Sequence, residues 1–529
     1  VEPAYPALGL ALRATLPEAA ARELRQALGS RLAALSAQPR QSWQAYRLLA
    51  GSPEATASLL AAVPGAPADV PADRILPAFT AELARARRGP ARPGEELELL
   101  WAFLPLAHRL GELRAHRGEL ERARQLAGAD SEKLLALAAL EAALEEQTGA
   151  LGRAAGSLRR ALEAAVHRTT DTDRKVALSI RLGRVLLREG QRAEARQLFE
   201  GILPVVERAK KPGLAASCHF YLGNVALAEQ RLEDARRHHE TALDIRRAKS
   251  PRAAGPSFTA LGAVALAQGN YPAALAYYEQ AREALEGVAS DADLSYALLG
   301  LGRALSRLGD FAAAAGVLRR ALGLRAEKSD STGEGIARLA LADCYLRLEQ
   351  PAVALREARQ AHFQLSLGRE SRYLGHAEAL LGRILLRQRQ PAAAREHFGA
   401  ALRLHRAHQD PASAAFDLAW ALEAAVQRAD REAVLQLGQE LDAAIADQAY
   451  PEQGELLDLH LFQALDWLRA HDPEAGNPMV YLRRGYENLM RKTGFLSPDL
   501  RNRFLFQVPE NRELLAAASR CGLALEAPA

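Results

Sequence analysis

Cysteine is nearly absent from these 529 residues: Cys218, Cys344 and Cys521 stand far apart, with no Cys-x-x-Cys among them. That excludes a disulfide framework and a cysteine-built zinc site, and makes a reducing, cytoplasmic setting the expectation. Aromatic residues make up 5% of the chain and β-branched runs are few, which argues against a sheet protein. Lysine occurs seven times, so nearly all of the 68 basic residues are arginine. No apolar run reaches the ~18 residues of a membrane helix, and the N-terminus carries no basic-then-apolar leader pattern. The chain opens on Val1 rather than Met, which fits a piece of a longer protein.

Chemical motifs are missing as well. The sequence holds no HExxH, no GxSxG and no GxxxxGK[ST]; it has no Gly-Lys pair at all. Gly300 and Gly302 begin a dinucleotide-like phrase, but Leu305 occupies the third glycine's place, and the stretch reads as helix with no strand before it. His405 and His408 lie one turn apart without a third ligand, so they read as exposed helix histidines rather than a metal pair. His238 and His239 are adjacent and face different sides of a helix. No catalytic residue, metal ligand or cofactor is expected, and the chain reads as non-enzymatic.

What the chain has is alanine and leucine in abundance, with 49% of residues hydrophobic, a composition that favours helix. The fold class expected is all-α. The net charge of +4 and pI near 9.0 are too modest for this length to imply nucleic-acid binding.

The helical sequence repeats. LGRVLLREGQRAEARQLF (182–199), LGRALSRLGDFAAAAGVL (301–318) and LGRILLRQRQPAAAREHF (381–398) are versions of one phrase. Gly183, Gly223, Gly262 and Gly302 stand 40, 39 and 40 residues apart, and the register runs on through Ala342, Gly382 and Leu422. Twelve residues after each anchor come Ala195, Ala235, Ala274, Ala314, Ala354, Ala394 and Val434; just before each come Leu182, Leu222, Leu261, Leu301, Leu341, Leu381 and Ala421. Small residues at two such positions let two antiparallel helices approach closely, and the leucine fills the seam. EGQ (189–191), QGN (268–270), LGD (308–310) and RQP (389–391) are the turns between them, glycine closing one helix and proline opening the next. A hairpin of this kind cannot bury its own apolar face, and stacking its neighbours does so.

Leu-Gly in the first helix, alanine twelve on, then an aromatic at Phe199, Tyr278 or Phe398 resembles the tetratricopeptide repeat, with a period of 40 instead of the standard 34. The resemblance is strong over 175–405, weaker over 96–165 and 410–450, and implies a right-handed superhelical solenoid of antiparallel helix hairpins. FLFQVPENRELL (504–515) resembles the closing segment of helical-repeat arms in large bacterial regulators, the signal-transduction ATPases with numerous domains and the antibiotic-regulatory-protein type. Its expected physical role is a cap over the last repeat. The expected organisation is irregular helical hairpins over 1–95, degenerate repeats over 96–174, regular repeats over 175–450 and a C-terminal helical cap over 451–529. LPEAAARELRQALGSRLAAL (16–35) reads as one of the early helices.

In tetratricopeptide superhelices the first helix of each hairpin lines the concave groove, so the resemblance places the residues one and five after each anchor there. They are Arg184, Asn224, Ala263, Arg303, Asp343 and Arg383, and Arg188, Ala228, Ala267, Arg307, Arg347 and Arg387. Residues four apart share a helix face, and seven of these twelve are arginine. The candidate ligand-binding residues are Arg184, Arg188, Asn224, Arg303, Arg307, Asp343, Arg347, Arg383 and Arg387. Arginine presents a planar fork to carboxylate or phosphate, so the expected partner is an acidic protein or peptide, or an anionic effector. The basic stretch RRHHETALDIRRAK (236–249) reads as a solvated convex face. Three readings stand: a scaffold or sensor arm, which the resemblance places within a bacterial transcriptional regulator; a stand-alone assembly adaptor; and direct nucleic-acid binding by the arginines. The last is disfavoured because stacking aromatics are not interleaved with them.

Overall fold

The computed structural model describes Leu59 and Leu60 and then residues 72–523, apart from connecting segments at 89–92, 110–111, 129, 148–149, 169–171, 288–290, 327–329, 368–370, 447–449, 451, 471 and 473–474. The helix expected at 16–35 lies outside the described residues. No strand occurs among those described. The chain divides into two compact units, residues 1–178 and 179–529. In the first, α1 (Ala72–Arg88), α2 (Pro93–Arg109), α3 (Arg117–Ala127), α4 (Ser131–Gln147) and α5 (Leu151–Arg168) follow one another. Phe79, Leu99, Leu100, Phe103 and Leu104 form its fully buried centre. Buried Glu96 accepts from Arg87 and Arg122.

Seven hairpins follow at the 40-residue period. Their first helices are α6 (Thr172–Glu189), α8 (Pro212–Ala228), α10 (Gly255–Ala267), α12 (Asp291–Arg307), α14 (Ser331–Arg347), α16 (Ser371–Arg387) and α18 (Pro411–Gln427). Their second helices are α7 (Arg192–Arg208), α9 (Leu232–Lys249), α11 (Tyr271–Leu285), α13 (Phe311–Ala326), α15 (Pro351–Leu367), α17 (Pro391–Ala407) and α19 (Arg431–Ala446). The anchors do what the spacing predicts. All seven residues twelve after the anchor, Ala195 through Val434, are wholly buried, and the preceding Leu182 through Leu381 are at most 6% exposed. A Cβ at Gly183 would lie 2.3 Å from the Phe199 ring, one at Gly302 2.6 Å from Leu318, and one at Gly382 2.6 Å from the Phe398 ring. The anchor glycine thus receives the large side chain sixteen residues later. Where the anchor is Ala342, the residue sixteen on is Ala358, also buried, so the two positions share one allotment of volume.

The turns repeat as closely as the helices. Residues 190, 230, 269, 309, 349, 389 and 429 all have positive φ, and only three of them are glycine. The left-handed closure of the first helix is a property of the hairpin, imposed on Gln230, Glu349, Arg389 and Ala429 where glycine is missing.

The C-terminal block is α20 (Gly454–Arg469), α21 (Met479–Thr493), α22 (Pro498–Phe506) and α23 (Pro509–Arg520). Its α20 covers the last hairpin: Leu457, Leu461 and Leu468 pack with Leu418, Leu422 and Leu441. The rest corrects the expectation of an end cap. The chain turns back, and Phe504, Leu482, Leu489 and Leu514 share one core with Tyr271, Leu301, Leu308 and Phe311 from the third and fourth hairpins. The physical reason is that first helices of this composition leave an apolar groove too large to stand in water. The repeats of this unit close around the block. Arg192, at the first hairpin's turn, donates to the Gln409 carbonyl beyond the sixth hairpin (3.1 Å).

Two further expectations are corrected. His405 is 1% exposed, its Nδ1 2.6 Å from buried Asp417; the 3.6-residue period turns that position inward, towards α18. In the basic stretch of α9, Arg236 and Arg237 are exposed and pair with Glu233, Glu240 and Asp234. Arg246 instead lies 4.6 Å over the Phe220 ring and donates to Ser257 (2.8 Å), because its long stem lets the head reach across α8.

Candidate functional site

The arginines expected on the first helices divide into two groups. Arg184 and Arg188 are exposed and Asn224 half-buried on α6 and α8, and none of these lines the chamber described below. Arg303, Arg307, Asp343, Arg347 and Arg383 gather on α12, α14 and α16 around one cavity of about 450 Å3. Arg387, one turn beyond Arg383, is exposed.

The gathered residues form a chain of ion pairs across three repeats. Arg347 donates through Nε to Asp343 (3.0 Å), one turn back on α14. Arg383 donates to the other Asp343 oxygen (2.7 Å), from the equivalent place one repeat later. The two outer partners come from the C-terminal block. Arg347 reaches Glu510 at the start of α23 (2.7 Å), and Arg307 reaches Glu452 just before α20 (3.0 Å). Arg303 is 3.6 Å from that same Glu452 oxygen and its side chain is 55% exposed. Glu452 is fixed by its backbone: its carbonyl accepts from the Tyr271 hydroxyl (2.6 Å) and the Lys492 ammonium (2.7 Å). Lys492 in turn donates to Glu455 (2.5 Å).

Burial opposes ionisation of Asp343, but Arg347 and Arg383 outweigh it and hold its pKa well below the carboxylate range. The same contest, won by Arg347 and Arg383 for Glu510 and by Arg307 and Arg303 for Glu452, lowers both. Arg347 is raised, the attraction of Glu510 and Asp343 exceeding the cost of burial. These are committed charges, and their geometry leaves little freedom for exchange at Arg347 and Arg383.

Much of the rest of the cavity's lining is apolar and aromatic. Ile336, Leu339, Tyr373, Phe416 and Trp420 line it, with Leu456 from the block. Arg383 lies 4.9 Å over the Trp420 ring, whose other neighbour is His460 at 4.7 Å. Burial drives His460 down to about 4, so its ring is neutral. Asp417 is pushed up to about 6, burial prevailing over its bond to His405. Three buried polar atoms of the lining, Ser306 Oγ, Arg383 Nε and His405 Nε2, have no nitrogen or oxygen partner.

The anchors made Arg303, Arg307, Asp343, Arg347 and Arg383 legible. Glu452, Glu510, Trp420 and Lys492 were not. Glu510 stands in a phrase noticed for its likeness to closing segments, but nothing local says that it meets Arg347. Groups of histidine, cysteine and acidic residues able to hold a metal do not occur among the described residues. No described helix is long and apolar enough to cross a membrane.

Comparison with known proteins fits the geometry. Tetratricopeptide-repeat family models match residues 175–248, 256–327 and 299–364. No curated protein matches the sequence. Among solved structures the chain is similar to a Rap protein complexed with competence and sporulation factor, at 12% identity over 65% of this chain and 99% of that one (TM-score 0.46). It is similar to a signal-transduction ATPase with numerous domains bearing a tetratricopeptide repeat sensor, from Pyrococcus horikoshii. There the identity is 14% over 80% of this chain and 64% of that one (TM-score 0.44). BtubC from P. vanneervenii shares 24% identity over 42% of this chain and 92% of that one (TM-score 0.35). With hairpins stacked in one register and family matches across five of them, residues 175–364 of this chain are built from tetratricopeptide repeats.

Proposed function

We propose that the chain is a non-enzymatic binding scaffold whose concave face, built from the first helices and the C-terminal block, takes an acidic protein, peptide or small anionic effector. The observation that carries this is the convergence of arginines from three successive repeats on one cavity, while Arg184, Arg188 and Arg387 continue the exposed rows on either side. Carboxylates already satisfy the inner arginines, which is the chemistry an acidic partner would offer to exposed Arg303 and Arg387. A solenoid held mainly by neighbour contacts suits a sensor arm, in which occupation of the groove alters the spacing of the repeats. A role within a larger transcriptional regulator belongs to the same reading.

The test is affinity capture from native lysate with mass spectrometry, comparing the wild type with an Arg303→Glu/Arg387→Glu variant shown by circular dichroism to be folded. Both side chains are exposed; Arg387→Glu leaves the buried ion pairs untouched, and Arg303→Glu sets a second carboxylate beside Glu452, so the variant's melting temperature is read alongside its partners. Loss of specific partners by the variant supports the concave face as the binding surface. Retention of the same partners rules it out.

A further inference from the structure

The chamber between the repeats and the C-terminal block is furnished unevenly, and the unevenness indicates what it would hold. Of the four guanidinium groups in its lining, Arg307, Arg347 and Arg383 each have a carboxylate within 3.0 Å. Arg303 does not: its nearest carboxylate is Glu452 at 3.6 Å, and more than half of its side chain is open. Glu452 is shared, with the same oxygen serving Arg307 at 3.0 Å. One cationic fork is therefore only loosely filled, sharing a single carboxylate oxygen. The same lining carries Phe416, Trp420 and Tyr373, and His405, 1% exposed, whose Nε2 has no hydrogen-bond partner. A buried polar atom without a partner costs about 1–3 kcal/mol, and a ligand that satisfies it recovers part of that cost. The volume, about 450 Å3, lies in the roughly 300–1,000 Å3 span of small-ligand pockets.

We propose that this chamber binds a small monocarboxylate with an aromatic or branched apolar body. Its carboxylate docks on Arg303 beside Arg307, and its apolar part lies against Trp420 and Phe416. The assignment rests on the reading of this face as a binding surface and gives it a ligand class. Glu452 is the internal competitor. Its backbone is held by Tyr271 and Lys492, so its side chain can rotate off the arginines with no movement of α20. Bound there, the ligand touches α12 and α18 of the repeats and the Glu452–Leu456 corner of the block together, and tightens the seam between them. A free organic acid and the C-terminus of a short peptide carry the same chemistry.

Isothermal titration calorimetry with 3-phenylpropionate, with N-acetyl-leucyl-phenylalanine and with the primary amide of each tests this. At least one acid should bind, about ten-fold or more tighter than its amide; which acid binds separates a metabolite from a peptide end. Arg303→Gln should remove that preference and leave amide binding as it was. Glu452→Gln should tighten the acid by several-fold, since the competing carboxylate is gone. Both variants are checked by circular dichroism and thermal melting. Equal binding of acid and amide, or failure of both acids to bind wild type and Glu452→Gln at millimolar concentration, overturns the proposal. If the acids fail while lysate partners are still lost on Arg303→Glu/Arg387→Glu, the concave-face reading survives without this ligand. If the acids bind and no partner is lost, only the ligand assignment stands.

Discussion

At the scale of single residues, two repeating positions decide whether a hairpin closes. The anchor glycine makes room for the side chain sixteen residues later, so Gly382→Ala, whose new methyl would lie 2.6 Å from the buried Phe398 ring, should cost about 1–3 kcal/mol by overpacking. Gly201 is also mid-helix, but a Cβ there meets nothing within 4 Å, and Gly201→Ala should stabilise by about 0.5–1 kcal/mol. Urea denaturation of the two variants separates packing from propensity, and equal effects would contradict the close approach. The turn position gives the opposite sign. Gln230, Glu349, Arg389 and Ala429 hold positive φ without being glycine, a conformation that costs an L-residue about 1–2 kcal/mol. Replacing any of them with glycine should raise the unfolding free energy by about 1 kcal/mol per site, and with it the urea midpoint. A fall at all four would mean that these side chains contribute contacts outweighing their strain.

At the scale of elements, the junction of α14 and α23 is where the block is fastened to the groove. Arg347, its side chain 5% exposed, holds Glu510 on one side and Asp343 on the other. Glu510→Gln strands part of a buried guanidinium and should cost about 3 kcal/mol, towards the low end for a broken buried pair because Asp343 remains. The double change Arg347→Met/Glu510→Leu would strand Asp343 with Arg383 alone and should cost less than the sum of its two single changes. A double-mutant cycle by chemical denaturation reads the coupling, and strict additivity would mean that the pair contributes nothing.

At the scale of the whole second unit, stability should depend on pH in two opposed ways. Asp343, Glu452 and Glu510 have folded pKa values below their ordinary 3.8 and 4.5. Such groups lend stability that is complete above the unfolded value and is lost as pH falls through the folded one. Asp417 works the other way: raised to about 6, it favours the fold when protonated and adds stability as pH falls from 7 towards its unfolded value near 4. Against it stand the buried histidines His239 and His460, which burial drives down to about 3 and about 4; their stability is lost as pH falls through the unfolded value of 6.5, and together they outweigh Asp417. The melting temperature should therefore fall gradually between pH 7 and 5 and more steeply below pH 4. Asp417→Asn should remove the offset and steepen the fall between pH 7 and 5, and Glu510→Gln should blunt the drop below pH 4. Melts of the three proteins across that range check both limbs, and a flat profile in the wild type would show that these carboxylates are not perturbed.

The sequence alone determined the hairpins, because everything that makes one is local. Leu182 and Gly183 meet Phe199 within seventeen residues, Ala195 falls between them, and the turn at Gly190 closes the pair. Seven copies of one register then dictate stacking, since each hairpin's apolar face fits its neighbour and nothing else nearby. That also put Arg303, Arg307, Asp343, Arg347 and Arg383 on one side, as i and i+4 on helices that recur every 40 residues. The tertiary structure decided the rest. The counterions of these arginines, Glu452 and Glu510, lie 145 and 163 residues from their partners, and no periodicity links positions that far apart. Nor could the local pattern say that PENRELL folds back against Phe311 rather than covering the last repeat, because both sites offer the same apolar surface. Which one it takes is settled only when the repeats have closed into a groove wide enough to hold it, and with that choice the chamber beside Arg303 comes into being.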